Sequence, residues 1–271
     1  MLGAVYGDII GSYYEVHSTK DVNFPLRRES TFTDDSVLTA AVCTAILSNS
    51  SDISFFDINQ RGLAYALQYK SYYSRYRDAG YGQMFIEWAN SREMFWQKSY
   101  GNGAAMRVIP ISYAYRDIKQ ICRQVKASCI YTHHHPEAIN GAETVAICAR
   151  MALDKRDKGE IRRFCEKRFG FSLDTPLEDI RRKYVFDSRT NYSVPPAVMA
   201  FLQSEDYESA VRNAVSLGGD ADTMACIAGG IAEAYYGVIP QPIKSFCESR
   251  LDSGLLTVFR EFSVRFRQEK M

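Results

Sequence analysis

The chain has 271 residues, and its 33 lysines and arginines against 32 aspartates and glutamates give a formal net charge of only +1. This balance excludes a general electrostatic attraction to nucleic acid or to an anionic membrane surface. No run reaches the ~18 consecutive apolar residues that a membrane span needs, and the first residues lack the basic segment of a signal peptide.

The seven cysteines are scattered along the chain, odd in number and without a C-x-x-C pair. This distribution favours reduced thiols over a disulfide framework or a zinc site. We therefore expect a cytoplasmic protein with neither a nucleic-acid nor a membrane partner.

Apolar residues recur mostly at helical spacing, while strand-like alternation is scarce. The segments with helical spacing are, in chain order, 35–50, 58–76, 140–153, 195–204, 207–217 and 222–237. Pro195 and Pro196 are placed to open one helix, because proline is favoured at the first helical position. The charged section 154–184 is typical of solvated, peripheral helices. With no repeat and no long linker, the pattern predicts one compact all-α domain covering 1–271.

Two segments carry small residues where helices could approach each other closely. Gly3, Gly7 and Gly11 recur every four residues and share one helix face. The segment MACIAGGIAEAYYG, within 222–237, places glycines in an apolar helix interior, where each normally costs about 1 kcal/mol. We expect this second helix to be central and its neighbours to pack closely against it.

Carboxylates gather at the starts of two of the predicted apolar helices. The residues are Thr33, Asp34 and Asp35 at the first helix and Asp220, Asp222 and Thr223 at the second. Helix capping could explain one such residue, but a cap uses a single acceptor and adjacent carboxylates repel one another. Carboxylate and hydroxyl oxygens are the preferred ligands of Mg²⁺, Mn²⁺ and Ca²⁺. Because the aspartates of both segments, in one cleft, would need more than one divalent ion for neutralisation, we predict a two-metal centre.

A third acidic element, GDIIGSYYE, lies near the N-terminus. Asp8 and Glu15 are seven residues apart, so two helical turns place them on one face. Asp8 fits a structural role as a cap or a pairing partner, whereas Glu15 could reach a metal or a water molecule.

The segment SYGNGAAMRVIPI joins a Gly-Asn-Gly turn to a helix-compatible run. Glycines allow close backbone approach and a helix start offers free N–H groups, which together suit a diphosphate. The three consecutive histidines at 133–135 cannot all face one ion, so a zinc site is disfavoured.

Five segments in order are similar to the blocks of a known family. They are GDIIGSYYE, TFTDDSVLT, YGNGAAMRVIPI, THHHPEAINGAE and LGGDADTMACIAGGIAEAYYG. The chain resembles the ADP-ribosylglycohydrolases, which include the dinitrogenase-reductase-activating glycohydrolases. The resemblance implies an all-α fold, two bound Mg²⁺ or Mn²⁺ ions, and removal of ADP-ribose by cleavage at C1 of the distal ribose. The chain departs from the family where Ala104 replaces a frequent glycine and Ala221 a frequent threonine.

The resemblance also implies roles for individual residues. The implied metal ligands are Thr33, Asp34, Asp35, Asp220, Asp222 and Thr223. Asp34, Asp35 or Glu15 is implied as the base that activates water. The implied substrate contacts are Gly101, Asn102, Gly103, Ala104 and Met106, with His133 or His135. Two cations would hold the ribose hydroxyls beside the water, and carboxylates would stabilise oxocarbenium-like charge.

Three alternatives stay open. An all-α enzyme acting on diphosphates also uses carboxylate-bound Mg²⁺, but it normally carries D-D-x-x-D, whereas Val37 and Leu38 follow the aspartates here. A non-catalytic relative would bind ADP-ribose without turnover. For a hydrolase acting on a modified protein or a small ADP-ribose conjugate, analogy favours ADP-ribosyl-arginine, with serine-linked or O-acetyl-ADP-ribose as the O-linked alternatives.

Overall fold

A computed structural model describes residues 1–48 and 58–266, which are mostly helical. Their α-helices are, in chain order, α1 (Leu2–Val16), α2 (Asp34–Ser48), α3 (Ile58–Arg75), α4 (Gln83–Asn90), α5 (Ile109–Ala114), α6 (Ile118–Cys129), α7 (Pro136–Leu153), α8 (Lys158–Phe169), α9 (Leu177–Lys183), α10 (Thr190–Leu202), α11 (Tyr207–Val215), α12 (Ala221–Tyr236), α13 (Gln241–Glu248) and α14 (Ser253–Arg265). A 3₁₀ helix, Asn102–Arg107, precedes α5. Extended pairing in these two ranges is limited to two isolated β-bridges. The all-α prediction is therefore confirmed.

The six predicted helical segments correspond to α2, α3, α7, α10, α11 and α12, with ends that differ by a few residues. Residues 49–50, the predicted end of the first segment, lie outside the described residues. The buried apolar side chains of the described helices form one contiguous core.

The prediction that Pro195 and Pro196 open a helix is wrong, because α10 already begins at Thr190. Proline has no N–H group, so Pro196 cannot donate to the carbonyl oxygen of Tyr192 in the preceding turn. The hydroxyl of Tyr184 donates to that carbonyl oxygen instead, at 2.9 Å. A side chain from a neighbouring segment thus replaces the hydrogen bond that the proline removes.

The helices α1 and α12 pack against each other in close backbone contact. The small residues of each predicted a close neighbour, and the structure shows that each helix is the neighbour of the other. A Cβ atom added to Gly3, Gly7 or Gly11 would lie between 2.0 and 2.5 Å from a carbonyl oxygen of α12. These oxygens belong, in the same order, to Gly229, Ala225 and Ala221. The two helices therefore run antiparallel, and the C-terminal end of α1 meets the N-terminal end of α12.

The helix α12 is central to the fold, which confirms the interpretation of its apolar sequence. Every residue from Ala221 to Ala232 is buried. The helices α1, α7, α10 and α11 pack around it. Burial on all sides means that the hydrophobic effect holds α12 in place, and with it the acidic residues at its start.

The charged section 154–184 forms the peripheral helices α8 and α9, as predicted. Only Ile161 and Cys165 of α8 and Leu177 of α9 are buried. The last residue of the section is not peripheral. Tyr184 packs against Gly219, where an added Cβ atom would lie 2.3 Å from the tyrosine ring.

All seven cysteines are free thiols, and six of them are buried. Burial raises the pKa of the Cys129 thiol to about 11, so this thiol stays protonated and unreactive. Among the described helices, none has both the length and the apolar character needed to cross a bilayer.

We expect Gly7→Ala to destabilise the protein, because the new methyl group would lie 2.0 Å from the carbonyl oxygen of Ala225. Overpacking of this kind costs about 1–3 kcal/mol, and urea denaturation measures it as a loss in the free energy of unfolding. Gly82→Ala is the control, since nothing lies within 4 Å of an added Cβ atom there. Equal, small changes in both variants would contradict the close packing of α1 on α12.

Candidate active site

A cleft of about 370 Å³ opens where the N-terminal ends of α2 and α12 meet the C-terminal end of α1. It collects most of the residues that the sequence indicated. Those that line it are Glu15, Thr33, Asp34, Asp35, Gly101, Asn102, Gly103, Met106, His133, Asp220, Asp222 and Thr223. Acidic segments from opposite ends of the chain therefore share one cavity.

Asp8 is fully buried next to the cleft and orders the first acidic segment. Its carboxylate accepts hydrogen bonds from the backbone N–H groups of Thr33 at 3.0 Å and Ser36 at 3.1 Å. It also accepts hydrogen bonds from the hydroxyl groups of the same two residues. These bonds hold the start of α2 against α1, which is a structural role of the kind considered for Asp8.

Asp35 has one bonded and one unbonded carboxylate oxygen. Its Oδ2 accepts a hydrogen bond from the hydroxyl of Thr223 at 3.1 Å, which links α2 to α12. Its Oδ1 is buried and has no hydrogen-bond partner among the described residues. A buried carboxylate oxygen without a donor or a cation is energetically costly. This oxygen is therefore suited to a positively charged ligand.

Asp220 occupies the N-cap position of α12, but its side chain does not cap the helix. Its Oδ2 accepts a hydrogen bond from Nδ2 of Asn102 at 2.8 Å. The same Nδ2 donates to Oγ of Ser193 at 3.1 Å. Helix capping therefore does not explain Asp220, and the side-chain amide of Asn102 orients a carboxylate.

The acidic side chains form two groups that share Asp222. Carboxylate oxygens lie within 4.8 Å of one another in the group of Asp8, Asp35 and Asp222, and again in the group of Glu15, Asp220 and Asp222. No ion pair in the described part of the chain involves any of these five side chains. Groups of oxygen ligands without a paired base suit hard divalent cations.

Desolvation within the cleft and mutual repulsion oppose the ionisation of these carboxyl groups, including that of Glu15, whose residue is otherwise exposed. Desolvation, followed by the charge of Asp222, raises the pKa of both Asp8 and Glu15 to about 7. The same two causes raise the pKa of three further carboxyl groups well above the ordinary range, those of Asp34, Asp35 and Asp220. The positive ends of the α2 and α12 dipoles offset part of the repulsion. A cation between the carboxylates would offset much more.

The Gly-Asn-Gly turn forms another wall of the cleft. The N–H group of Asn102 donates to the carbonyl oxygen of Ser188 at 2.8 Å, and that of Gly101 donates to Oγ of Ser99 at 3.2 Å. Two of the amides expected to bind a diphosphate are thus already bonded within the protein. Ala104 is fully buried and does not line the cleft, which departs from its predicted contact with substrate.

The consecutive histidines face different environments. His133 is buried in the cleft wall, and its Nε2 lies 3.0 Å from the position of an added Cβ atom on Gly103. His135 caps α7, where its Nδ1 accepts from the N–H group of Glu137 at 3.3 Å, and it lines a separate pocket beside Tyr100. Of the two predicted candidates, the structure therefore places His133 in the cleft and His135 outside it.

The cleft wall also contains residues that the sequence did not indicate as site residues, among them Arg107, Phe186 and Ser188. Phe186 and Ser188 come just after the charged peripheral section and belong to no motif that could have identified them. Arg107 stands in the apolar run AAMRVIPI, and a fully buried arginine in such a run is rare enough to be a signal.

Known proteins of similar sequence include proteins named as ADP-ribosylhydrolases. ADP-ribosylhydrolase ARH3 of Xenopus tropicalis is 29% identical, in an alignment covering 88% of this chain and 86% of that protein. ADP-ribosylhydrolase ARH3 of Homo sapiens is 28% identical, covering 94% of this chain and 90% of that protein. A solved structure titled ADP-ribosylglycohydrolase-related protein complex has the same fold, with a TM-score of 0.70 and 23% identity over 97% of this chain and 95% of that one.

The sequence profile of the ADP-ribosylglycohydrolase family matches residues 1–263. This match covers nearly the whole chain, including every residue that lines the cleft. The all-α fold and the acidic cleft agree with it. The chain therefore belongs to the ADP-ribosylglycohydrolase family and is a hydrolase.

Proposed function

We propose that this hydrolase releases ADP-ribose from an ADP-ribosylated protein or a small ADP-ribose conjugate. The observation that carries the proposal is the convergence of the acidic starts of α2 and α12 on one cleft beside the Gly-Asn-Gly turn. The cleft volume of about 370 Å³ suits a small-molecule ligand. Similarity to ADP-ribosylhydrolases over most of the chain supports the same substrate class.

We extend the proposal to the organisation and location of the enzyme. One domain covering 1–271 is supported by the single contiguous core of the described helices. A cytoplasmic location is supported by the seven free thiols, since a reducing compartment keeps cysteines in that state.

Two divalent ions, Mg²⁺ or Mn²⁺, are the proposed cofactors. Their proposed ligands are Thr33, Asp34, Asp35, Asp220, Asp222 and Thr223. Support comes from the unbonded Oδ1 of Asp35 and from the two acidic groups that share Asp222. The hydroxyl of Thr33 donates its proton to Asp8 at 2.7 Å and accepts from the N–H group of Asp35 at 3.3 Å, so one lone pair of its oxygen can still bind a cation. When bound, the ions supply positive charge that orients ribose hydroxyls and lowers the pKa of a water molecule.

Glu15 is the proposed general base among the three candidates. It is exposed at the cleft mouth and makes no hydrogen bond or ion pair with the described residues. Asp35, in contrast, is already bonded to Thr223 across the helix interface. A carboxylate with free oxygens can take a proton from water as the bond at C1 breaks, while its fixed neighbours stabilise oxocarbenium-like charge.

The linkage that the enzyme cleaves joins C1 of the distal ribose to the leaving group. ADP-ribosyl-arginine remains the proposed substrate, on the family analogy given by the sequence. One observation favours the O-linked alternatives, serine-linked or O-acetyl-ADP-ribose. An oxygen leaving group takes up a proton as it departs, and a pKa of about 7 lets Glu15 take a proton from water and pass that proton to the departing oxygen near neutral pH.

We expect metal removal to lower both stability and activity. After treatment with EDTA, added Mg²⁺ or Mn²⁺ should raise the midpoint of thermal unfolding, because a ligand of the folded state stabilises it. Asp35→Asn and Asp222→Asn should remove most of this rise and reduce ADP-ribose release below detection. Asp179→Asn, at an exposed position of α9, is the control. Full activity in EDTA would contradict the metal proposal.

We expect the metal-induced rise in the unfolding midpoint to increase with pH. In the absence of metal, the pKa of Asp8 and Glu15 is about 7 in the folded protein, and roughly 4 in the unfolded chain. The protonated groups therefore stabilise the folded state at low pH, and this contribution is lost as the pH rises through about 7. Because cations displace the same protons, the metal-induced rise in the midpoint should be larger at about pH 8 than at about pH 6.

We expect Glu15→Gln to lower kcat by roughly 10²- to 10⁴-fold, because the amide cannot accept a proton from water. Because Glu15 shares an acidic group with Asp220 and Asp222, the metal-induced rise in the unfolding midpoint is measured in the same variant. Loss of kcat with the rise retained identifies loss of the base, whereas loss of both identifies loss of the cation site. Glu261→Gln, on the exposed face of α14, is the matched control. A kcat unchanged from that of the control would exclude Glu15 as the base.

A panel of substrates tests which linkage to ADP-ribose the enzyme cleaves. Arginine-linked, serine-linked and O-acetyl-ADP-ribose are incubated with enzyme and Mg²⁺ or Mn²⁺, and free ADP-ribose is quantified by chromatography. We expect the highest kcat/KM for the arginine conjugate. A higher value for either O-linked conjugate would overturn the arginine assignment and leave the hydrolase intact. Tight ADP-ribose binding in calorimetry with no turnover of any conjugate would contradict the proposed function.

A further inference from the structure

Arg107 is a residue of the cleft wall that neither the proposed cation site nor the proposed base uses. It is fully buried, and no carboxylate in residues 1–48 and 58–266 forms an ion pair with it. Its Nε and Nη1 atoms have no hydrogen-bond partner in those ranges. Burial of a guanidinium without a counter-ion is costly, so its position needs an explanation other than packing.

The guanidinium of Arg107 is held by a small set of buried groups. Its Nη2 donates to Oγ1 of Thr132 at 2.6 Å and to the carbonyl oxygen of Ser128 at 3.1 Å. Its Cζ lies 4.1 Å from the centre of the Tyr69 ring, which is a cation–π contact. The hydroxyl of Tyr69 donates to the same carbonyl oxygen of Ser128 at 3.2 Å. These contacts fix the guanidinium against Thr132.

Thr132 connects Arg107 to His133. Its Oγ1 lies 2.9 Å from Nδ1 of His133, and both residues are buried. A guanidinium has donors only, so the threonine oxygen must accept the bond from Arg107. The Thr132 hydroxyl proton has no partner besides Nδ1 among the described residues, and buried protons are rarely left unpaired. Thr132 therefore donates to Nδ1, and the proton of the neutral ring resides on Nε2.

The Nε2 atom of His133 faces the Gly-Asn-Gly turn. It lies 3.0 Å from the position of an added Cβ atom on Gly103 and 4.0 Å from that on Gly101. Burial, followed by the charge of Arg107, lowers the pKa of His133 well below its ordinary value. His133 thus presents a neutral N–H donor to the cleft, beside a turn whose glycines leave space for a ligand.

We infer that Arg107 and Thr132 are positioning residues that fix the Nε2–H tautomer of His133, so that this N–H group donates a hydrogen bond to an oxygen of the bound nucleotide. The assignment of the acceptor to a phosphate or ribose oxygen rests on the proposed function. The tautomer rests only on the buried contacts. The inference explains why an arginine without a counter-ion is buried in the cleft wall.

Nitrogen-15 NMR of the imidazole rings tests the tautomer in the folded protein without ligand. The signals of His133 are those lost in His133→Gln, and we expect a protonated Nε2 and an unprotonated Nδ1 near neutral pH. Thr132→Val removes the hydroxyl with little change in volume and should abolish the preference for one tautomer, whereas Thr132→Ser should restore it. Thr144→Val is the control, because Thr144 is a buried threonine whose hydroxyl donates to Asn140 and accepts from Arg168, and it makes no contact with a histidine ring. A wild-type ring protonated at Nδ1, or a tautomer unchanged in Thr132→Val, would overturn the inference.

Calorimetric titration with ADP-ribose supplies a second measurement. The Kd should rise roughly tenfold in Thr132→Val, as expected for one misdirected hydrogen bond, and return in Thr132→Ser. With a cleaved conjugate, KM should rise by a similar factor while kcat changes little. An unchanged Kd in Thr132→Val would exclude the hydrogen bond from His133 to the nucleotide. A fixed tautomer without turnover of any conjugate would contradict the proposed function and leave the positioning of His133 intact.

Discussion

The rest of the structure depends on the close backbone contact between α1 and α12. Gly3, Gly7 and Gly11 have no side chains, so the carbonyl oxygens of α12 occupy the space that Cβ atoms would need. The contact aligns the two helices antiparallel and brings the end of α1 to the start of α12. Glu15 and Asp222 meet there as a result. The acidic cleft is thus a consequence of helix packing as well as of acidic sequence.

Gathering carboxylates in this cleft opposes folding. The protein supplies hydrogen-bond donors to some of these carboxylates and not to others. Four donors surround the carboxylate of Asp8, and Asn102 orients Asp220. In contrast, Oδ1 of Asp35 is buried without a donor. The fully bonded carboxylate acts as part of the framework, and the incompletely bonded ones face the cavity. Such a division is expected where a binding site is built at some cost in stability.

Sequence patterns identified which residues carry the chemistry of the cleft, but they did not identify the hydrogen-bond partners of those residues. The Gly-Asn-Gly turn was expected to bind a diphosphate, and it does line the cleft. Yet the side chain of Asn102 holds Asp220, because α10 and α12 both pack against the turn. Phe186 and Ser188 could not be predicted, since they enter the cleft from a segment whose charged neighbourhood indicated the surface.

The sequence by itself determined the helical fold, the close packing of its glycine-bearing segments and the acidic segments of the cleft. Each of these follows from local properties: apolar spacing, the absence of a side chain, and the oxygen ligands that hard cations prefer. Only the tertiary structure decided that His133, and not His135, lines the cleft, and that α10 starts before Pro195. These outcomes depend on hydrogen bonds and contacts with segments distant in the chain, which no local pattern contains.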